Sequence, residues 1–103
     1  IAEVVANYPN RPIAVEAHTD TVPVRPGAAY PTNLHLSAYR AVGVVQFLSR
    51  EAGLDRDRLR AVGFGAQQPL KPNNSPETRR LNRRVEIVLY PPELESKRVD
   101  SKP

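Results

Sequence analysis

The chain has 103 residues, enough for one small domain with a single core and too few for two. At 40% hydrophobic, 25% charged and 6% aromatic residues it has a globular composition. Its longest apolar runs fall far short of the ~20 residues of a membrane-spanning helix. Cysteine is absent, which excludes disulfide scaffolds, thiolate zinc sites and cysteine nucleophiles. The net charge is +4, and 12 of the 15 cationic residues are arginine. Arginine presents a planar fork suited to carboxylate and phosphate, which points toward oxyanion recognition, although a GC-rich coding sequence produces the same bias.

Ile1, Val4, Val5 and Tyr8 fall at i, i+3, i+4 and i+7, one face of a helix that Pro9 ends. The segment Ile13 to His18 alternates Ile13, Val15 and Ala17 against Glu16 and His18, predicting a strand with one core face and Asp20 just past its C-terminal end. Residues 21–32 contain Pro23, Pro26, Gly27 and Pro31 and read as a loop, long for so small a domain and therefore a candidate functional segment. From Asn33 to about Ala52, the residues Leu34, Ala41, Val44, Val45, Leu48 and Ala52 form a helical stripe, with Asn33 or Ser37 as N-cap and Gly53 as C-cap.

Leu59 to Phe64 reads as a second strand, and strand, helix, strand predicts a parallel crossover. Ser75-Pro76-Glu77 opens a short basic helix through about Asn82, with proline at its first position. Val85 to Tyr90 is the last strand. Residues 91–103, with three prolines and two aliphatic residues, read as a mobile tail, leaving residues 1–90 as the domain. The fold class is α/β: a two-layer sandwich of a mixed sheet covered by helices.

Three groups of residues could carry chemistry. Asp20 stands beyond the carboxyl end of the first strand, where α/β crossovers bind ligands. It could equally cap its own turn through backbone amides. Arg40 lies in the first or second turn of the long helix, where a cation opposes the positive end of the helix dipole and calls for a compensating anion, either Asp20 or a ligand. Asp20 and Arg40 together would hold a zwitterion, the carboxylate taking an ammonium and the guanidinium a carboxylate. The run Arg79 to Arg84 taken alone suggests phosphate or nucleic acid, but no aromatic stacking platform accompanies it. A catalytic reading would need His18, His35, Asp20, Ser37 or the glutamates. No nucleophile elbow surrounds Ser37, and Glu16 and Asp20 carry no mark of a glycosidase pair. Two histidines without cysteine or an H-E-x-x-H pattern make a poor metal site, so neither metal, cofactor nor catalysis is expected.

In order, His18-Thr19-Asp20, then Asn33-x-x-Leu36-Ser37-x-x-Arg40-Ala41, then Gly63-Phe64-Gly65 followed by Pro69, and Asn82-Arg83-Arg84-Val85-Glu86-Ile87 resemble the OmpA-like peptidoglycan-binding domain family. The likeness runs from about Ile13 to Leu89. Thr21-Val22-Pro23-Val24 and the loop to Asn33 look more like the flagellar stators of the MotB type than like porins or Pal lipoproteins. The resemblance implies a βαβαβ-type fold whose first strand and most of whose first helix precede Ile1.

The same resemblance implies non-catalytic binding of the peptidoglycan stem peptide. Asp20 and Arg40 would clasp the ammonium and carboxylate of diaminopimelate, Thr19 and Asn33 would supply hydrogen bonds, Arg83 would border the pocket, and Arg84 would be structural. It also implies a homodimer in the periplasm of a Gram-negative bacterium, on a protein anchored to the inner membrane with a stator partner if stator-like, or to the outer membrane if a tether. Nucleic acid is not an expected partner.

Overall fold

The computed structural model describes residue 7 and residues 11–91. Of the predicted N-terminal helix only Asn7 is described, and it is helical; the predicted tail lies outside the described residues apart from Pro91. The chain runs through strand β1 (Ile13–His18), helix α1 (Asn33–Arg50), a 3-10 turn (Arg56–Arg58), strand β2 (Leu59–Gly65), helix α2 (Pro76–Asn82) and strand β3 (Arg84–Leu89). The strands form a mixed sheet of order β2-β1-β3, with β1 parallel to β2 and antiparallel to β3. The parallel crossover is therefore present as predicted. Tyr90, predicted as the last strand residue, lies one past β3, but its N–H still bonds the Pro12 carbonyl.

Central position changes what β1 buries. The predicted core face is there: Ile13, Val15 and Ala17 pack with Leu59 of β2 and with Ala41, Val45 and Leu48 of α1. Ala14 and His18 on the opposite face are buried too, against the one-sided expectation. Ala14 is small and sits in register between Arg60 and Val88, while His18 stacks on Phe64 with ring centroids 5.0 Å apart and planes 4° from parallel.

The N-cap of helix α1 lies one residue before Asn33 and five before Ser37, the two predicted caps. Thr32 is the N-cap, its hydroxyl accepting from the His35 N–H, because a β-region residue with a side-chain oxygen satisfies the first free amides. The helix closes at Glu51, two residues before Gly53, and Leu54 N–H bonds back to the Leu48 carbonyl. Leu34 and Ala52, counted in the apolar stripe, are exposed. Ser37, the other predicted cap, is fully buried: its hydroxyl donates to the Leu34 carbonyl and accepts the Gly65 N–H at 2.9 Å, tying α1 to the end of β2. The second short helix follows prediction, with Ser75 and Thr78 forming a reciprocal capping box and Pro76 at the first position.

The helix and strand meet at Gly63. A Cβ there would lie 2.5 Å from the Ala38 backbone nitrogen and 2.7 Å from its Cα, atoms that cannot yield without moving α1. Gly63→Ala is expected to lower unfolding stability by about 1–3 kcal/mol or more through overpacking, read as a lower urea midpoint. An unchanged midpoint would show that α1 shifts freely over the sheet.

Candidate functional site

Asp20 follows β1 by two residues and is almost completely buried. Its Oδ1 accepts the Val22 N–H at 3.0 Å, the turn-capping role open to any aspartate after a strand. Its Oδ2 pairs with the Arg83 guanidinium at 2.5 Å, so the same side chain also forms part of a charged site. Arg83 immediately follows α2 and remains 43% exposed at its side chain. The anion that compensates a cation here is thus Asp20, as one alternative had it, but the cation is Arg83 and not Arg40.

Arg40 is the eighth residue of α1, beyond the first turn where the dipole acts, so the electrostatic demand inferred from the sequence falls away. What remains is position. Arg40 is exposed, makes no ion pair with another described residue, and borders the same cavity as Asp20 and Arg83. That cavity has a volume of about 590 Å³. It is bordered by Asp20, Arg40, Arg79 and Arg83, and the loop 21–32 contributes Arg25 and apolar lining that includes Val22, Val24 and Tyr30. Tyr30 packs against Tyr39 of α1 with centroids 5.0 Å apart.

Thr19 and Asn33 border the cavity, with their side-chain donors engaged within the chain. The buried Thr19 hydroxyl donates to the Asp20 carbonyl at 2.8 Å, and its N–H donates to the Gly65 carbonyl. The Asn33 amide donates to the carbonyls of Asp20 and Val22, pinning both ends of the strand-end turn to the first residue of α1. These two residues shape the backbone around Asp20.

Arg79 was not singled out by sequence reasoning, which took one arginine of the basic run into the site. The signal was available: Ser75-Pro76 fixes the start of α2, and Arg79 then stands four residues before Arg83, on the same side of the helix. Asn82 was also missed as an anchor. Fully buried, it accepts from the Leu70 and Lys71 N–H groups and donates to the Lys71 carbonyl and Asn73 Oδ1, fixing the loop before α2 and hence the departure of Arg83. Arg84 behaves as predicted, bonding Glu86 and the carbonyls of Asn82 and Gln68.

The far face of the sheet holds a second polar group. Glu16, His18 and Glu86 offer ligand atoms within 4.8 Å of one another. Each carboxylate already has a partner, Tyr90 for Glu16 and Arg84 for Glu86, and neither His18 ring nitrogen is hydrogen-bonded. Burial, helped by the Arg84 charge, lowers the His18 pKa, and the hydrogen bond from Arg84 lowers that of Glu86. The imidazole lies between oppositely charged neighbours, and burial outweighs the two carboxylates in setting the direction of its shift.

The OmpA family model matches residues 1–83. The chain belongs to the OmpA family. It is 34% identical to Motility protein B of Bacillus subtilis over 88% of its own length and 34% of that protein's. It is 40% identical to outer membrane porin F of Pseudomonas aeruginosa over 86% of its length and 24% of the porin's. The chain thus spans about a third of the first relative and about a quarter of the second.

Among solved structures, it resembles a MotB-like protein from Desulfovibrio vulgaris (TM-score 0.76, 36% identity, 85% of this chain and 54% of that one). It also resembles the cell wall anchor of the Pseudomonas aeruginosa type VI secretion system, T6SS (TM-score 0.74, 34% identity, 86% and 60%). The mixed sheet with its helices is the architecture of these OmpA-family domains, as the sequence implied. Among the described residues no helix is long and apolar enough to cross a membrane.

The His18 environment makes this OmpA-family domain's stability depend on pH. A folded pKa below the ordinary 6.5 means that the unfolded chain takes up the proton first. Stability is therefore full above pH 6.5 and falls as pH drops below it, by no more than about 1.4 kcal/mol per pH unit for one proton. The Arg84-held Glu86 adds its own loss only below its ordinary 4.5. His18→Phe keeps a ring on Phe64 and removes the proton site. Melting temperatures between pH 7 and 5.5 are expected to fall for the native chain and to flatten in the variant; equal slopes would remove His18 as the source.

Proposed function

We propose that this domain binds peptidoglycan without cleaving it, capturing the zwitterionic end of diaminopimelate in the stem peptide. The observation that carries the reading is one cavity bordered by both a buried carboxylate, Asp20, and a guanidinium with no ion-pair partner among the described residues, Arg40. Asp20 accepts from Arg83 and Val22 yet retains lone pairs for an ammonium, and Arg40 is free to fork onto the adjacent carboxylate. Specificity follows because a ligand lacking either group leaves its protein partner unmatched. Thr19 and Asn33 hold the turn that presents Asp20, with room for the Asn33 side-chain oxygen to accept from the ligand, and Arg83 borders the captured group.

In this reading the domain anchors a membrane protein of the MotB stator type to the wall, on the periplasmic side and as a dimer beside a stator partner. The OmpA-family match, the Motility protein B relative and the cell wall anchor among the structural neighbours support it. The porin F likeness favours a second reading, the same pocket on an outer-membrane tether with no motor role. The nucleic-acid reading loses half of the basic run: Arg83 is paired with Asp20, and Arg84 is spent on Glu86 and two carbonyls, which leaves Arg79 and Arg80.

A single pocket of this kind gives micromolar or weaker affinity, about −8 kcal/mol or less favourable. Co-sedimentation with purified peptidoglycan sacculi tests the reading. The native protein is expected in the pellet and released by free diaminopimelate, whereas Asp20→Ala and Arg40→Ala stay in solution. Arg40 is exposed, so its loss leaves the fold intact, and an Arg40→Ala variant that still pellets like the native chain would overturn the pocket assignment.

A further inference from the structure

We infer that the site selects stem peptides carrying a second free carboxylate, and that Arg79 is the residue that reads it. The inference rests on the stem-peptide reading above and concerns charge balance. The zwitterionic end of diaminopimelate has one ammonium and one carboxylate and is neutral. The cavity is not: Arg25, Arg40, Arg79 and Arg83 border it against a single carboxylate, Asp20, an excess of three positive charges. One guanidinium, Arg83, is already neutralised by Asp20, and a second, Arg40, is matched by the ligand's first carboxylate.

The ligand's ammonium then shares Asp20 with Arg83, and Arg79 and Arg25 remain unmatched, so a neutral ligand leaves the excess of three in place. Arg25 sits on the exposed loop, where solvent and salt screen it. Arg79 differs. It is partly buried, it projects from α2 one turn before Arg83, and it makes no ion pair with any described residue. Its helix is pinned at one end by the Ser75–Thr78 capping box and at the other by the four hydrogen bonds of buried Asn82. The fixed frame removes the backbone's share of the ordering cost and leaves only the Arg79 side chain to be ordered, and Arg79 borders the same cavity as the zwitterion clasp.

Outside the zwitterionic end, a stem peptide bears further carboxyl groups, on the glutamate and on the linked half of diaminopimelate. Left free they are anions that complement Arg79; amidated they are neutral and leave it unmatched. A charge-assisted pair with partly desolvated Arg79 separates the two chemistries by about tenfold or more in affinity.

The experiment uses two synthetic peptides, alanyl-γ-glutamyl-diaminopimelate as the free acid and the same peptide amidated at every carboxyl outside the zwitterionic end, titrated calorimetrically into the native protein, Arg79→Gln and Asp20→Ala. The free acid is expected to bind the native chain at least about tenfold more tightly than the amide, and Arg79→Gln to bind both alike. Asp20→Ala is expected to bind neither. Equal affinities for the native chain, or discrimination that persists in Arg79→Gln, overturn the inference while leaving stem-peptide capture standing. If neither peptide binds the folded native chain, the stem-peptide reading itself fails, and the inference with it. Circular dichroism melts of each variant confirm that loss of binding is not loss of fold.

Discussion

The approach of α1 to β2 is the contact on which the remainder of the site depends. Gly63 leaves no space for a side chain against the Ala38 backbone, and the buried Ser37 hydroxyl bridges the Leu34 carbonyl and the Gly65 N–H. Gly65 takes φ +59°, a conformation that side chains resist, and its carbonyl receives the Thr19 N–H. One short chain of contacts thus runs from the helix through the end of β2 to the residue beside Asp20. It fixes the height of α1 over the strand ends. Arg40, about two turns along that helix, then arrives at the cavity that Asp20 borders without any direct bond between the two.

The Asp20–Arg83 pair is better understood as organisation than as stability. With Arg83 nearly half exposed, such a pair contributes about 0–1 kcal/mol. Asp20 is another matter: buried, it would be costly to leave without partners, and it has them in Val22 and Arg83. The arrangement holds a carboxylate in a poorly solvated corner while its partner guanidinium stays partly open to solvent. Under the proposed reading, a ligand ammonium arriving there would join an existing pair and meet a carboxylate already held in place, so little of its binding energy would be spent on ordering the protein.

Much of this was legible in the sequence because local signals and tertiary packing agree. Period-2 alternation marked β1, the Ser75-Pro76 cap marked α2, and proline spacing marked the loop. Divergence came where a residue's role is set by something distant in sequence. Ser37 looks like a cap because serine usually is one, yet here it answers an amide 28 residues away. His18 alternates outward in pattern and is nonetheless buried, because Phe64 closes over it. The partner of Asp20 lies 63 residues on, and no pattern in either segment says which of Arg40, Arg79 and Arg83 will reach it. Position in a known helix does narrow the choice: once α2 is placed, Arg79 and Arg83 share a side.

The two faces of the sheet divide the work. Toward α1 the sheet is apolar and supplies the core, while its far face carries the Glu16, His18, Arg84 and Glu86 network and owes its burial to aromatic stacking and ion pairing. The cavity belongs to neither face. It lies beyond the strand ends, walled by a proline-rich loop that adds nothing to the core, so its charges can be set for a ligand with little consequence for folding. For a wall anchor this separation suits a weak site. Under the proposed anchoring role, hold on an immobile polymer would come from several domains engaged at once, each releasing and rebinding, with effective concentration multiplying weak contacts without tightening any one of them.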